Sequence, residues 1–198
     1  MKKAIKSSVV LMSIVACIVQ AHAAGSEWKI DPAHSGVYFE IDHIYSAVRG
    51  YFEKFDGEVI FDPNDLAGSR FDFKVEVKSV NTGNSKRDGH LQTDEFFDTR
   101  KFPDMTFKSF SIKHLQGDQY VVEGTLTVKD VGKTVAVPFT YFGAKTHPFD
   151  KDSDVAGFEA RIPIDRLAYG VGTGKYYEMG VVGKDVDVLV SIEAMRKK

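Results

Sequence analysis

The chain has 198 residues, of which 43% are hydrophobic, 27% are charged and only 6 are proline. This composition is typical of a folded globular domain and excludes a disordered chain, a collagen and a coiled coil. With 26 basic and 28 acidic side chains, the chain also lacks the positive charge that nucleic-acid binding requires.

The first 23 residues have the three regions of a secretory signal peptide. Three lysines precede an apolar run of 13 residues from Ser7 to Val19, and Ala21-His22-Ala23 supplies the small residues of a cleavage site. The run is shorter than the ~20 residues that a membrane-spanning helix needs. We therefore expect a signal peptide over residues 1–23, cleavage between Ala23 and Ala24, and a periplasmic domain over residues 24–198 without stable membrane insertion.

Removal of this leader changes both the charge and the cysteine content. It leaves 23 basic and 28 acidic side chains, a net charge of −5, and no cysteine, because the single Cys17 lies in the leader. The exported domain thus has no disulfide and depends on an ordinary core. An alternative is that residues 14–17 act as a lipobox and leave Cys17 as a lipidated terminus. The apolar segment before it, about 7 residues long, is at the lower limit for a leader.

A period of two dominates the rest of the sequence. Val37, Phe39 and Ile41, for example, alternate with polar residues, as expected for an antiparallel strand with one dry face. The same alternation predicts eight strands, near residues 37–42, 48–61, 70–78, 105–113, 120–128, 134–142, 157–164 and 186–194. Eight antiparallel strands favour closure into a barrel, which has room for packed side chains or for one small ligand.

Two segments depart from this alternation. Within residues 81–104, Leu91, Phe96 and Phe97 have roughly helical spacing, which predicts a short helical insert. Residues 165–183 are rich in Gly and Tyr and precede the last strand. The predicted fold is therefore all-β, an eight-stranded antiparallel barrel with a short helical insert.

Ordered blocks along the chain resemble the YceI-like family. The first is Trp28-Lys29-Ile30-Asp31-Pro32-Ala33-His34-Ser35. The others are residues 36–39 with His43, 50–57, 81–84, 87–91, 96–98, 102–109, 124–128 with Lys133, and 157–160. The resemblance implies a lipocalin-like barrel, periplasmic or secreted, that binds a polyisoprenoid, an isoprenoid quinone or a fatty-acid derivative. Residues 147–154 and 169–180 vary most within the family, so the choice of ligand is least transferable there.

The strand positions on the inner face, together with the apolar residues of the helical insert, predict which residues line the barrel and bind this lipid. They are Phe39, Ile41, His43, Phe61, Phe71, Phe73, Val75, Leu91, Phe96, Phe97, Phe107, Phe139, Tyr141, Phe158 and Ile162. The alternative for each is plain core packing, because buried apolar residues can either fill a barrel or line a cavity. His43 would either hydrogen-bond a ligand head group at the mouth or be satisfied by neighbouring backbone.

The strongest polar cluster in the sequence is Arg87, Asp88 and His90. In an enzyme, an isomerase or hydrolase acting on lipid, His90 would be a general base oriented by Asp88, with Arg87 holding an anion. No nucleophile accompanies them and no Gly-x-Ser-x-Gly motif occurs. We expect a structural role instead, in which Asp88 caps the helical insert and Arg87 ties it to the barrel rim.

The sequence thus predicts a lipid-binding carrier and not an enzyme. No catalytic residue, cofactor, nucleic acid or metal is expected, and homodimerisation stays an open alternative. His34 and His43 are nine residues apart, so they would face opposite sides of one regular strand and are poorly placed to share a metal.

Overall fold

The computed structural model describes residues 26–198, which form a single antiparallel sheet of eleven strands. The strands are β1 (Glu27–Ile30), β2 (Gly36–His43), β3 (Ser46–Phe52), β4 (Phe55–Ile60), β5 (Arg70–Glu76), β6 (Val80–Asn81), β7 (Asp104–Gln116), β8 (Gln119–Val128), β9 (Val131–Thr146), β10 (Ser153–Asp165) and β11 (Val182–Lys197). The predicted signal peptide, its cleavage site and Cys17 lie outside the described residues.

Strand β11 closes the sheet into a barrel. It pairs with β10 along its length, with β2 through its first part and with β1 near its end, where Lys29 lies opposite Met195. Around the barrel, β1 and β2 follow one another in a single strand position, and so do β3 and β4, and β5 and β6. The eleven strands therefore occupy eight strand positions in up-and-down order. The predicted eight-stranded antiparallel barrel is confirmed. Closure removes the free edges along which open sheets aggregate.

In three of the eight strand positions, two short strands take the place of one continuous strand, and the sequence did not predict these interruptions. The strand expected over residues 48–61 is interrupted between β3 and β4, at Glu53 and Lys54. Strands β1 and β6 have only four and two residues, so they are too short to show an alternating pattern.

Serine hydroxyls replace the ladder bonds that two of these breaks remove. The Ser35 hydroxyl donates to the carbonyl of Glu193 (3.1 Å) and accepts from its N–H (3.0 Å), beside the break between β1 and β2. The buried Ser79 hydroxyl accepts from the N–H of Lys54 (3.0 Å) and donates to the carbonyl of Glu76 (2.6 Å). Backbone groups that would otherwise be orphaned are thereby satisfied.

Two irregular segments carry the helices. Helix α1 (Ser85–Leu91) lies in the first, residues 82–103, and helix α2 (Lys175–Glu178) in the second, residues 166–181. The predicted helical insert is shorter than its spacing suggested, because Phe96 and Phe97 lie in turns beyond α1, where the Phe97 N–H donates to the Leu91 carbonyl (3.0 Å). None of the helices in residues 26–198 is long and apolar enough to cross a membrane.

The two ends of the barrel are packed differently. One end is filled by aromatic side chains around Phe61, whose ring centroid lies 4.9–5.8 Å from those of Phe71, Tyr120, Tyr141 and Phe158. The other end is covered by the two irregular segments, where Phe96 clusters with apolar residues including Val128, Tyr169 and Val171. The space between these two ends is where a ligand could lie.

We predict that Ser79→Ala destabilises the barrel. The N–H of Lys54 would lose its acceptor at a strand break, so the free energy of unfolding should fall by about 1–3 kcal/mol, measured by urea denaturation. The control is Ser46→Ala, which removes an exposed hydroxyl and should change the free energy by less than about 0.5 kcal/mol. Equal effects of the two substitutions would contradict the bridging role of Ser79.

Candidate functional site

The barrel encloses a cavity of about 470 Å³ between its filled end and the covering segments. This volume lies within the range of roughly 300–1,000 Å³ that is typical of small-molecule sites. The voids of a well-packed core rarely exceed the size of a water molecule. The barrel is therefore hollow, which the alternation of the sequence alone could not establish.

Thirteen of the fifteen residues predicted to line the barrel surround this cavity. They are Phe39, Ile41, His43, Phe71, Phe73, Val75, Leu91, Phe96, Phe97, Phe107, Phe139, Phe158 and Ile162. Phe61 and Tyr141 do not line it, which corrects the prediction for these two. Their rings belong to the filled end, with centroids 4.9 Å apart. The alternation along a strand indicates which face a residue occupies, but it does not indicate how far along the barrel axis the residue lies.

Other lining residues were missed. A group of small aliphatic side chains on three strands completes the wall: Val122, Leu126, Val135, Val137, Val186, Val188 and Val190. They have the same inward parity as the aromatic residues, so the sequence signal was present.

Three inward glycines explain why the cavity is open. A Cβ built on Gly50 would lie 2.5 Å from Cζ of Phe39, one on Gly57 would lie 2.6 Å from Cδ1 of Phe73, and one on Gly124 would lie 2.5 Å from Cζ of Phe107. Each phenylalanine ring therefore rests against a neighbouring strand where a side chain is missing. These rings cover the wall and leave the middle of the barrel free.

The covering segment that contains α1 is fixed by Thr82. The Asp88 carboxylate accepts from the Thr82 N–H (2.9 Å) and hydroxyl (2.6 Å), while Arg87 donates to the Thr82 hydroxyl (2.7 Å) and carbonyl (2.9 Å). The expected capping role of Asp88 is wrong, because the N-cap is Asn84, whose side chain accepts from the Arg87 N–H (3.1 Å). Asp88 lies one turn further along and holds the chain that precedes the helix.

His90 helps to join the two covering segments, because its ring centroid lies 6.3 Å from that of Tyr176 in the second segment. Its Nε2 lies 2.7 Å from a Glu95 carboxylate oxygen, and its ring packs edge-on against Phe96 with centroids 5.0 Å apart. The hydrogen bond to His90 is the main reason why the pKa of Glu95 is lowered. Phe96 in turn stacks on Tyr176 of the second segment, and the Lys129 ammonium donates to the carbonyls of Phe96 (2.9 Å) and Gly170 (2.8 Å).

Arg166 starts the second covering segment and is buried, with 6% of its surface exposed. It donates to the carbonyls of Gly183 and Val171, both at 2.8 Å, and burial lowers its pKa. The chain passes over it at Gly172, where φ is 89° and where a Cβ would collide with Nη1 of Arg166. Gly172 of the glycine-rich run is therefore explained by this buried side chain, which also lines the cavity.

His43 and His34 lie apart. His43 is at the end of β2 and lines the cavity, and within residues 26–198 no protein group hydrogen-bonds its ring, so the alternative of a backbone-satisfied histidine is not found. His34 follows β1, and its Nδ1 lies 2.8 Å from Asp31 and 3.8 Å from Glu193. The bond to Asp31 raises the pKa of His34. Asp31 is half-buried and also accepts from the Ala33 N–H (2.9 Å), so it shapes the turn between β1 and β2.

We predict that Asp88→Ala weakens the cover of the cavity. Two donors of Thr82 would lose their acceptor, so the free energy of unfolding should fall by about 1–3 kcal/mol and a bound lipid should dissociate faster. Thermal unfolding and stopped-flow release measure these effects. Asp94→Ala is the matched control, because Asp94 is an exposed carboxylate in the same segment. An unchanged dissociation rate in Asp88→Ala would contradict the role of this contact.

Comparisons with known proteins agree with this architecture. The family model of the YceI-like domain matches residues 28–194. Protein YceI of Salmonella arizonae is 32% identical over 179 residues, which cover 89% of this chain and 90% of the relative. Protein YceI of Salmonella newport matches to the same extent.

Solved structures show the same barrel. BcnA of Burkholderia cenocepacia aligns with a TM-score of 0.77 and 28% identity, covering 84% of this chain and 99% of BcnA. The YceI protein of Campylobacter jejuni aligns with a TM-score of 0.68 and 28% identity over 77% and 87% of the two chains. A polyisoprenoid binding domain from Saccharophagus degradans shares the fold at 16% identity, with a TM-score of 0.63 over 84% and 97%. From the family match and the Salmonella relatives, we conclude that the chain belongs to the YceI-like family.

Proposed function

We propose that this protein binds a long apolar lipid in the barrel cavity and carries it through the periplasm. The lipid is of the polyisoprenoid or isoprenoid quinone type, or a fatty-acid derivative. The single observation that carries this proposal is a cavity of about 470 Å³ whose wall is built almost entirely from aliphatic and aromatic side chains.

The energetics of lipid transfer favour such a carrier. Burial of one CH2 group contributes about 0.8 kcal/mol, so a five-carbon prenyl unit gains roughly 3–4 kcal/mol on leaving water, before ordering costs. A chain of several units is therefore nearly insoluble in an aqueous compartment. A closed barrel offers it an apolar interior without exposing a sheet edge.

Family membership supports the same ligand class. The Saccharophagus degradans domain that shares the fold is described as polyisoprenoid binding. Because its identity to this chain is 16%, the choice of ligand in this protein depends on its own cavity residues. Residues 1–23, with their lysines and apolar run, support export to the periplasm.

We favour binding without catalysis over the lipid-modifying alternative. In that alternative Asp88 would orient His90, but Asp88 is engaged by Thr82, and His90 is paired with Glu95. A covalent hydrolase route would in addition need a nucleophile, and no serine or cysteine lines the cavity in residues 26–198.

The proposal predicts that a side chain added inside the barrel blocks the lipid. Val188 lines the cavity, whereas its neighbour Asp187 is exposed on the opposite face of β11. Val188→Phe should weaken binding of geranylgeraniol at least tenfold, about 1.4 kcal/mol, as measured by calorimetry on delipidated protein. Asp187→Phe adds the same ring outside and should leave affinity unchanged.

Stability measurements separate this outcome from a packing defect. Overfilling a solid core typically costs about 1–3 kcal/mol, which would lower the melting temperature. A hollow barrel should accept the extra ring of Val188→Phe with little change in melting temperature. Unaltered lipid affinity in Val188→Phe would contradict the proposed location of the ligand.

A further inference from the structure

The guanidinium of Arg166 is a buried positive charge in the wall of an apolar cavity. A guanidinium has five N–H donors. In Arg166, the Nε–H and one Nη1–H reach the carbonyls of Gly183 and Val171 at 2.8 Å, and Nη2 has a longer contact of 3.5 Å with Val182. These neutral carbonyls fix the position of the side chain. They leave two of its N–H groups without a protein acceptor, and its charge is opposed only through space, by the adjacent Asp165.

A carboxylate, which is the usual partner of a buried guanidinium, does not contact Arg166 in the described residues. Within residues 26–198, no carboxylate oxygen lies within 4.0 Å of an Arg166 nitrogen. The adjacent Asp165 is instead 3.2 Å from Lys184 and accepts from the N–H groups of Leu167 and Ala168. Buried charges in proteins are normally paired, because an isolated charge loses its hydration without compensation.

A second unpaired cation lines the same cavity. Arg87 uses Nε and Nη2 to hold Thr82, and over the described part of the chain it also has no carboxylate within 4.0 Å. His90, one turn of α1 further on, lines the cavity as well. The one acidic residue in the lining, Glu159, lies 3.7 Å from the exposed Arg161.

These basic groups belong to the covered end of the barrel. Gly172 links them in space, because a Cβ at that position would touch both Nη1 of Arg166 and the ring of Phe96, the latter at 3.4 Å. The Phe96 ring in turn contacts His90 of the other covering segment. The apolar wall below this cover is formed by inward side chains of β2 to β5 and of β7 to β11. The cavity is therefore amphipathic, with an apolar body and the guanidinium groups of Arg87 and Arg166 in its cover.

We propose that the cover of the cavity binds an anionic head group, a carboxylate or a phosphate, of the lipid whose tail fills the apolar body. This inference rests on the proposed lipid-binding function and narrows its ligand class to acidic amphiphiles. Guanidinium groups bind both kinds of anion through paired N–H donors. The low polarity of the cavity strengthens that attraction, while a neutral alcohol or quinone head group would leave both charges unpaired.

The test compares three probes that share one tail: farnesyl phosphate, farnesoic acid and farnesol. Calorimetry on the delipidated, exported protein should give at least tenfold tighter binding of the two acids than of the alcohol. Tighter binding of farnesyl phosphate than of farnesoic acid would identify a phosphate ester as the ligand. Tighter binding of farnesoic acid would identify a carboxylic acid. Equal affinities for all three probes would overturn the head-group proposal while lipid binding stood.

Variants assign the charge that is responsible. Arg87→Gln removes the Arg87 contacts to Thr82 and so loosens the cover for all three probes, but it should reduce the affinity for both acids at least fivefold more than that for farnesol. Arg161→Gln, which removes an exposed arginine outside the cavity, should alter none of the three. Arg166 also holds the second covering segment in place. The affinities of Arg166→Gln are therefore compared only if its melting temperature shows that the variant is folded. An acid preference that survives in Arg87→Gln and in a folded Arg166→Gln would overturn the proposal, and failure of every probe to bind would overturn the lipid-binding function itself.

Discussion

The pairing of the last strand with the first is the interaction on which the rest of the structure depends. Strand β11 binds β10, β2 and β1, and only through β1 does the sheet return to β4. Once the ring is closed, every inward side chain must share one enclosed space. Whether that space becomes a core or a cavity is then decided by how far each side chain projects.

The two ends of the barrel differ in how far their inward side chains project. At one end Phe61, Tyr120 and Phe139 meet in the middle and fill the section. Further along, Phe39, Phe73 and Phe107 rest against glycines and the section stays open. The filled end supplies a packed aromatic core in a chain that has no cysteine in residues 24–198. The open part supplies the room for a ligand.

The sequence predicted the fold because a period of two survives in every long strand. It also placed Phe73 and Phe158 on the inner face, where they are found. Depth along the barrel was not predictable, because Phe61 has the same parity as lining residues and differs only in its neighbours. The replacement of Asp88 by Asn84 as the helix cap could not be foreseen, since both are good caps four residues apart. Arg166 was missed because a lone arginine after a strand reads as a surface residue until its burial is known.

Native mass spectrometry of the protein isolated from cells without delipidation tests the central claim most directly. If the cavity holds a lipid, the spectrum should show the polypeptide with a bound mass that organic extraction removes and that is absent from the Val188→Phe variant. A spectrum of the polypeptide alone, with no lipid in the extract beyond that of Val188→Phe, would contradict the assignment of this barrel as a lipid carrier.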